Sequence, residues 1–235
     1  MHIPDGFFDA PTSVAAGAVA VGGVDVALRR TRDQVADKEV ALAGLTSAFI
    51  FAVQMMNFPV AAGTSGHLLG GVLAAVLVGP WLGVLCLTVV VVVQCLLFAD
   101  GGLSALGLNV VNMALVPCLG GWVVFRALRL ALPRSHTGVV VAAGVAAGLS
   151  VVLAAVAFTV EYAVGGTADV SLRAVLGAMV GVHTLIGVGE GVITGAVVAA
   201  VLAARPDLVV GARDLLRSPA VSPAARAGAP EGMQP

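Results

Sequence analysis

The residue best placed to do chemistry in this sequence is His2, the second residue of the chain. A histidine at this position offers a metal three donors: the α-amine of Met1, its own deprotonated amide nitrogen and its ring Nδ1. These donors close a five-membered and a six-membered chelate ring and fill three corners of a plane. Tetragonal nitrogen sites suit Ni(II) or Cu(II), with Co(II) next. The structural alternative is a histidine that only happens to lie at an exposed terminus.

His67 is the residue that could fill the fourth corner. It follows the uncharged loop 57–66 (NFPVAAGTSG), which contains Thr64 and Ser65, and we expect it to open a short helix near the same face as the N-terminus. Such a loop is tolerated in a membrane only where it is buried in protein or lines a cavity. A binding loop is therefore the functional interpretation, and a capping or core histidine is the structural one.

His183 and Glu190 lie seven residues apart in the last apolar run, so they share one helix face. Ionisable groups inside a membrane helix are costly and mostly functional. A buried structural pair, an ion relay and the metal site of an intramembrane hydrolase all fit; the missing HExxH spacing favours the structural pair. Interhelical hydrogen bonds account for the other polar residues in the predicted spans, which are Gln54, Gln94, Asn109 and Asn112.

The composition defines the elements that must position these residues. Of 235 residues, 59% are hydrophobic and only 11% charged, against roughly 25% charged in soluble proteins. With a mean hydropathy of +1.05 and 30 glycines, the chain is predicted to be an all-α polytopic membrane protein whose small residues let helices pack closely. A formal net charge of -1 argues against a nucleic-acid partner.

Seven apolar runs are predicted to cross the membrane, of which 66–79 is the shortest. We expect a metal-binding segment at 1–11, a seven-helix transmembrane domain at 12–204 and a cytoplasmic, mostly disordered tail at 205–235, because the end of the chain is rich in Pro, Ala, Ser and Gly. The predicted spans are 12–30, 40–57, 66–79, 81–99, 104–131, 138–165 and 171–203.

The basic residues predict the orientation of these spans. Of the 12 Lys and Arg residues, all except Arg173 fall on one set of alternate loops. Since Lys and Arg are retained in the cytoplasm, the N-terminus is predicted to lie outside and the C-terminus inside. The outer face is then mildly acidic and attracts cations; it carries Asp5, Asp9, Asp100, Glu161 and Asp169.

Four stretches of the sequence resemble CbiM/NikM, the substrate-binding membrane subunits of energy-coupling-factor (ECF) transporters for cobalt and nickel. They are MHIPDGFF (1–8), FAVQMMNFPVAAGTSGHLLGG (51–71), QCLLFADGGLSALGLNVVNMA (94–114) and HTLIGVGEGVITG (183–195). The resemblance implies metal ligands at Met1, His2 and His67, with Asn109 near the site. The chain departs from many members at TSGHLLG around His67 and at ADGG, where Asp100 replaces a histidine.

The expected function is therefore a substrate-capture subunit of an ATP-driven importer for Co2+ or Ni2+ in the cell membrane, without a cofactor and without enzymatic activity of its own. No GxxxxGK[ST] phosphate loop occurs in the sequence, and the resemblance implies three kinds of partner: a transmembrane coupling subunit, cytosolic ATPase subunits and a small accessory membrane subunit. Two alternatives stay open: an intramembrane metallohydrolase that uses His67, His183 and Glu190, and a secondary metal carrier that works alone. The residues do not distinguish cobalt from nickel.

Overall fold

The computed structural model of the chain describes residues 1–32, 37–59 and 65–216. The fold is a bundle of helices with one small antiparallel hairpin. Its first elements are α1 (Ala10–Thr31), α2 (Asp37–Gln54), β1 (Phe58–Pro59), β2 (Ser65–Gly66), α3 (Gly71–Val78) and α4 (Pro80–Phe98). Next, α5 (Leu106–Val110), a π-helical stretch (Val111–Gly120) and α6 (Gly121–Ala131) follow one another directly, before α7 (His136–Gly165) and α8 (Leu172–Ala204). Two 3-10 turns (Pro206–Leu208 and Val210–Ala212) and α9 (Arg213–Leu216) end the described chain.

Local sequence signals set the ends of the long helices. Asp9 caps α1 by accepting a hydrogen bond from the Thr12 amide at 2.8 Å, and Ser135 and Ser171 cap α7 and α8 in the same way. Pro80 stands in the first turn of α4, where a missing N–H costs no helical bond. Apolar runs and caps together therefore place these helices close to where the sequence predicts them.

Within the described residues, five helical segments are long and apolar enough to cross a membrane: α1, α4, the continuous α5–α6 segment, α7 and α8. The apolar part of α2, Glu39–Gln54, is shorter. Helix α3 has only 8 residues, which rise about 12 Å against a hydrocarbon core of about 30 Å. Every one of the seven predicted runs contains a helix, but length supports five crossings.

The short helix begins later than the sequence predicts. Residues 67–70 are not helical, and α3 starts only at Gly71. The reason lies at Gly70, whose φ of 77° is in the left-handed region that favours glycine. A Cβ at this position would also come within 2.8 Å of the Ile50 side chain. His67 thus belongs to a non-helical segment and does not open the helix.

Helices α7 and α8 form a close hairpin through facing glycines. A Cβ added at Gly148 would lie 2.9 Å from the Gly187 oxygen, and one at Gly191 would lie 2.8 Å from the Gly144 oxygen. Backbones that approach this closely are typical of small-residue helix packing in membranes. Helix α8 is therefore packed closely against α7 along one of its faces.

The predicted tail is partly structured. Val209 and Ala212 are buried, and the turn Val210–Ala212 contacts α3, so residues 205–216 belong to the fold. The remainder of the predicted tail, 217–235, lies outside the described residues.

Candidate metal centre

The first residues of the chain are buried inside one end of the bundle. Met1 is 1% exposed and Ile3 fully buried. Asn109 of α5 binds both backbone groups of Ile3: its Oδ1 accepts from the amide at 2.8 Å, and its Nδ2 donates to the carbonyl at 3.2 Å. The Gly102 amide donates to the same carbonyl at 2.8 Å. By fixing the backbone of Ile3, these bonds also restrict the positions of Met1 and His2, which precede it.

Aromatic and backbone contacts anchor the rest of this segment. The rings of Phe7 and Phe8 pack against Phe158 and Tyr162 of α7. The Asp9 amide donates to the Gly165 carbonyl at 2.8 Å. The N-terminal segment is therefore an integral part of the core and not a free end.

Glu190 of α8 fixes the segment that carries His67. One of its carboxylate oxygens accepts from the Leu69 amide at 2.5 Å and the other from the Gly70 amide at 2.9 Å. The His183 ring instead donates from Nδ1 to the Met179 carbonyl at 2.7 Å, and its Nε2 has no hydrogen-bond partner. The predicted direct pair of His183 and Glu190 is not formed, because each side chain bonds to a different backbone group and His183 Nε2 stays unpartnered.

A chain of buried hydrogen bonds connects the His67 segment to His2. The Leu69 carbonyl can only accept, so Gln54 presents Nε2 to it at 2.7 Å. Gln54 Oε1 then accepts from Gln94 Nε2 at 3.0 Å, which turns Gln94 Oε1 towards His2 Nε2 at 3.0 Å. His2 must therefore carry its proton on Nε2, and the lone pair of a neutral ring lies on Nδ1.

The tautomer of His67 is fixed by its own neighbour. Its Nδ1 lies 2.8 Å from the Leu68 carbonyl and donates to it, so Nε2 carries the lone pair. The rings of His2 and His67 lie 4.6 Å apart between centroids. Both His2 Nδ1 and His67 Nε2 are buried without a hydrogen-bond partner. Buried polar atoms are rarely left unpaired, and a histidine whose other nitrogen is held by a carbonyl is typical of metal ligands.

Burial also favours the uncharged form of the nitrogen donors by lowering their pKa values. It lowers the pKa of the Met1 amine well below its ordinary value, although the Asp100 charge opposes the effect. Burial, followed by the charge of the amine, lowers the pKa of His2 to about 4. The same two causes lower the pKa of His67. Neutral nitrogens are the form that binds a metal.

The remaining predicted residues fall in different places. Asn109 lies beside the site through Ile3, Ser65 is in β2, and Thr64 lies outside the described residues. In the part of the chain that the structure describes, no group of three His, Cys, Asp or Glu side chains converges as a metal site. The candidate donors are thus two imidazoles and the backbone nitrogens of the first two residues.

Sequence reasoning missed the parts played by Gln54 and Gln94. It assigned both to interhelical hydrogen bonding, which is correct as far as it goes. Their position inside predicted spans was the available signal, since polar residues there need partners. The identity of those partners depends on which helices face each other.

The fold and this site define a helical membrane protein whose buried N-terminal segment brings the ring of His2 beside that of His67, each with one unpartnered nitrogen. The chain belongs to the CbiM family, described as the cobalt uptake substrate-specific transmembrane region, whose model matches residues 2–208. It is accordingly a multi-pass membrane protein of a cobalt and nickel transport family.

Individual relatives agree with this assignment. The chain is 44% identical over 128 residues to a putative fused nickel transport protein NikMN of Archaeoglobus fulgidus, which covers 54% of this chain and 42% of that protein. It is 38% identical over 150 residues to the cobalt transport protein CbiM of Geobacter sulfurreducens, covering 62% of this chain and 42% of that one. These matches span less than half the length of either relative.

Solved structures share the fold as well. The crystal structure of a truncated transition metal transporter superposes with a TM-score of 0.79 at 32% identity, covering 87% of this chain and 99% of that one. A second transition metal transporter structure gives the same score and covers 93% of its chain.

Proposed function

We propose that this protein is the substrate-capture subunit of an ECF-type importer for Co2+ or Ni2+. Four nitrogens hold the metal in a plane: the Met1 amine, the His2 amide, His2 Nδ1 and His67 Nε2. The buried, unpartnered nitrogens of His2 and His67 support this choice of ligands. Nitrogen donors in a plane suit nickel and accept cobalt, and relatives carry the names of both metals.

The observation that carries this proposal is the pair of adjacent imidazoles with fixed tautomers. His2 and His67 are 3% and 0% exposed, and each leaves a lone pair unpartnered inside the protein. His183 also leaves Nε2 unpartnered, so the distinguishing feature is that the rings of His2 and His67 lie next to each other, 4.6 Å apart between centroids. Leaving a buried acceptor unsatisfied costs about 1–3 kcal/mol, and here two such acceptors are neighbours. A bound metal offsets that cost.

We also propose the membrane arrangement and the partners. The N-terminus and His67 lie at the outer face, and the C-terminus lies in the cytoplasm. Helix α2 makes one further crossing, and the non-helical segment 67–70 together with α3 makes the seventh. Burial of the metal at the outer end then requires energy for its release inward. A coupling subunit with cytosolic ATPases supplies that energy, and a small membrane subunit accompanies them.

The hydrolase alternative is less compatible with the site. A hydrolase would use Glu190 as a general base, but both of its oxygens accept backbone amides. The stand-alone carrier differs from the proposed importer only in its energy source, so uptake measurements distinguish the two.

Titration of the purified protein with NiCl2 and CoCl2 by calorimetry tests the site. His2→Ala and His67→Ala should each abolish tight binding, while His136→Ala, at the start of α7, should bind as the wild type does. Tight binding by His67→Ala would contradict the proposal. Cells that express the chain with its coupling and ATPase subunits should accumulate metal, and uptake of equal rate by the chain alone would favour the carrier.

A further inference from the structure

Asp100 is a carboxylate beside the chelating nitrogen of His2. It lies in the connection between α4 and α5, and its Oδ1 is 3.1 Å from His2 Nδ1. Its other oxygen, Oδ2, accepts a hydrogen bond from Asn57 Nδ2 at 3.2 Å. Its side chain is 21% exposed, and it lines a cleft of about 320 Å³ together with His2, Pro4 and Asp5. The carboxylate thus stands between the buried site and the surface.

The contact between Asp100 and His2 is not a hydrogen bond. The Gln94–Gln54 chain keeps the His2 proton on Nε2, so Nδ1 is an acceptor that lies beside the carboxylate without a hydrogen bond to it. Two acceptors at this distance repel each other unless a cation lies between them. Their separation matches two adjacent ligands of one metal, because donors bound at about 2.0–2.2 Å and at a right angle lie about 3 Å apart.

The backbone on either side of Asp100 is shaped to hold it there. Ala99 has a φ of 52°, and it is the one non-glycine residue with a positive φ in the part of the chain that the structure describes. Gly101 follows with a φ of 95°, and a Cβ there would lie 2.8 Å from Asn109 Nδ2. Unfavourable backbone conformations of this kind concentrate at binding sites.

His2, His67 and Asp100 do not converge as a three-side-chain metal site among the described residues, and we propose that Asp100 Oδ1 closes on the metal when it binds, as an apical oxygen ligand on the side of the plane that faces the cleft. This inference rests on the proposed function, since it presumes the four-nitrogen plane. In that plane the positions adjacent to His2 Nδ1 are occupied by its own amide and by His67. A further ligand adjacent to Nδ1 must therefore lie above or below the plane.

The assignment makes the site five-coordinate and gives it an entry ligand. A hydrated cation in the cleft meets the Asp100 carboxylate before it meets the buried nitrogens. The negative charge also compensates that of the metal in a buried setting. This chain would then differ in metal environment from members of its family that have a histidine at this position.

Nickel K-edge X-ray absorption of the protein loaded with NiCl2 tests the assignment, together with calorimetric titration. The 1s→4pz shoulder is strong for planar four-coordinate nickel and weakens when an apical ligand is present. We expect a weak shoulder in the wild type, a strong one in Asp100→Ala, and an affinity lower by on the order of tenfold in that variant. Asp100→Asn, nearly isosteric, should fall between the two.

Asp5→Asn is the matched control, because Asp5 lines the same cleft but its Oδ1 is engaged by the amide and hydroxyl of Ser104. It should give the wild-type shoulder and affinity. An identical shoulder in the wild type and Asp100→Ala overturns the apical assignment, and nickel binding that still requires His67 then leaves the proposed function standing. A wild type that binds neither nickel nor cobalt overturns both.

Discussion

The metal-site end of the bundle and the α7–α8 interface are built by different interactions. At the site, four polar side chains from four different elements bind the N-terminal segment and the segment that carries His67. They are Gln54, Gln94, Asn109 and Glu190. Between α7 and α8, glycines let two backbones approach until only van der Waals contact remains. One region depends on the direction of hydrogen bonds and the other on shape.

This difference separates function from stability. Hydrogen bonds fix which nitrogen of each histidine is free, and a fully satisfied buried network is rigid as well as specific. Glycine packing holds α8, and with it Glu190, against the bundle, but it selects no tautomer. Substitutions in the first region should therefore change metal affinity, and substitutions in the second should change stability alone.

Among the residues that position the ligands, replacement of Glu190 should have the largest effect on affinity. Glu190→Leu leaves the Leu69 and Gly70 amides without their acceptor, so the His67 segment moves and nickel affinity falls on the order of 100-fold. Glu190→Gln retains one acceptor and should lose less. Calorimetric titration measures both. Glu161→Gln is the control, because Glu161 is a partly buried glutamate of α7 that accepts a hydrogen bond from Asn112 in the π-helical stretch. An equal loss there would contradict a specific role for Glu190.

Replacement of Gln94 should have a smaller effect, about tenfold on affinity. Gln94→Leu removes the acceptor of His2 Nε2–H, so the proton can move to Nδ1 and bind Asp100 instead. Nitrogen NMR of labelled histidine reports the tautomer directly. A variant that keeps the Nε2–H form, with unchanged affinity and a lower melting temperature, would show that Gln94 is only a structural residue.

The sequence predicts much of this account, and it fails where contacts depend on which helices are neighbours. Apolar runs located every long helix, and the position of His2 beside the terminal amine indicated a chelate. The sequence did not reveal that α3 begins only after Gly70. Nor did it reveal that Glu190 binds the segment that carries His67 and makes no bond to His183. Those facts depend on long-range contacts, such as the one between Glu190 and Leu69, which no local pattern encodes.

The pH dependence of binding should be shallow for a site with three ionisable nitrogen donors. The lowered pKa values of Met1, His2 and His67 favour the neutral form of each group, and protons compete for the His2 ring as the pH falls towards its pKa of about 4. Because only the His2 amide must then release a proton, affinity should fall about threefold for each half unit by which the pH is lowered. Titration in buffers of different ionisation enthalpy counts the protons. Release of about three per metal at pH 7 would contradict preformed neutral donors.

The α7–α8 interface should respond in the opposite way. A Cβ at Gly144 would lie 2.9 Å from the Gly191 oxygen, so Gly144→Ala should destabilise the protein by about 1–3 kcal/mol through overpacking and leave nickel affinity unchanged. Thermal unfolding and calorimetry measure the two quantities. Gly22→Ala on α1, where a Cβ meets nothing within 4 Å, is the matched control. A loss of affinity in Gly144→Ala would show that the two regions are coupled.

The central claim is that the metal is bound by the amine and amide of the chain's own N-terminus. Addition of a single glycine before Met1 tests it most directly, because every side chain stays in the protein while the amine moves out of the five-membered ring. Nickel titration of this form, with mass spectrometry to verify each N-terminus, should show tight binding for the wild type and its loss in the extended protein. Equal affinity in the two would contradict the amine–amide–imidazole chelate and leave His67 with a different set of partners.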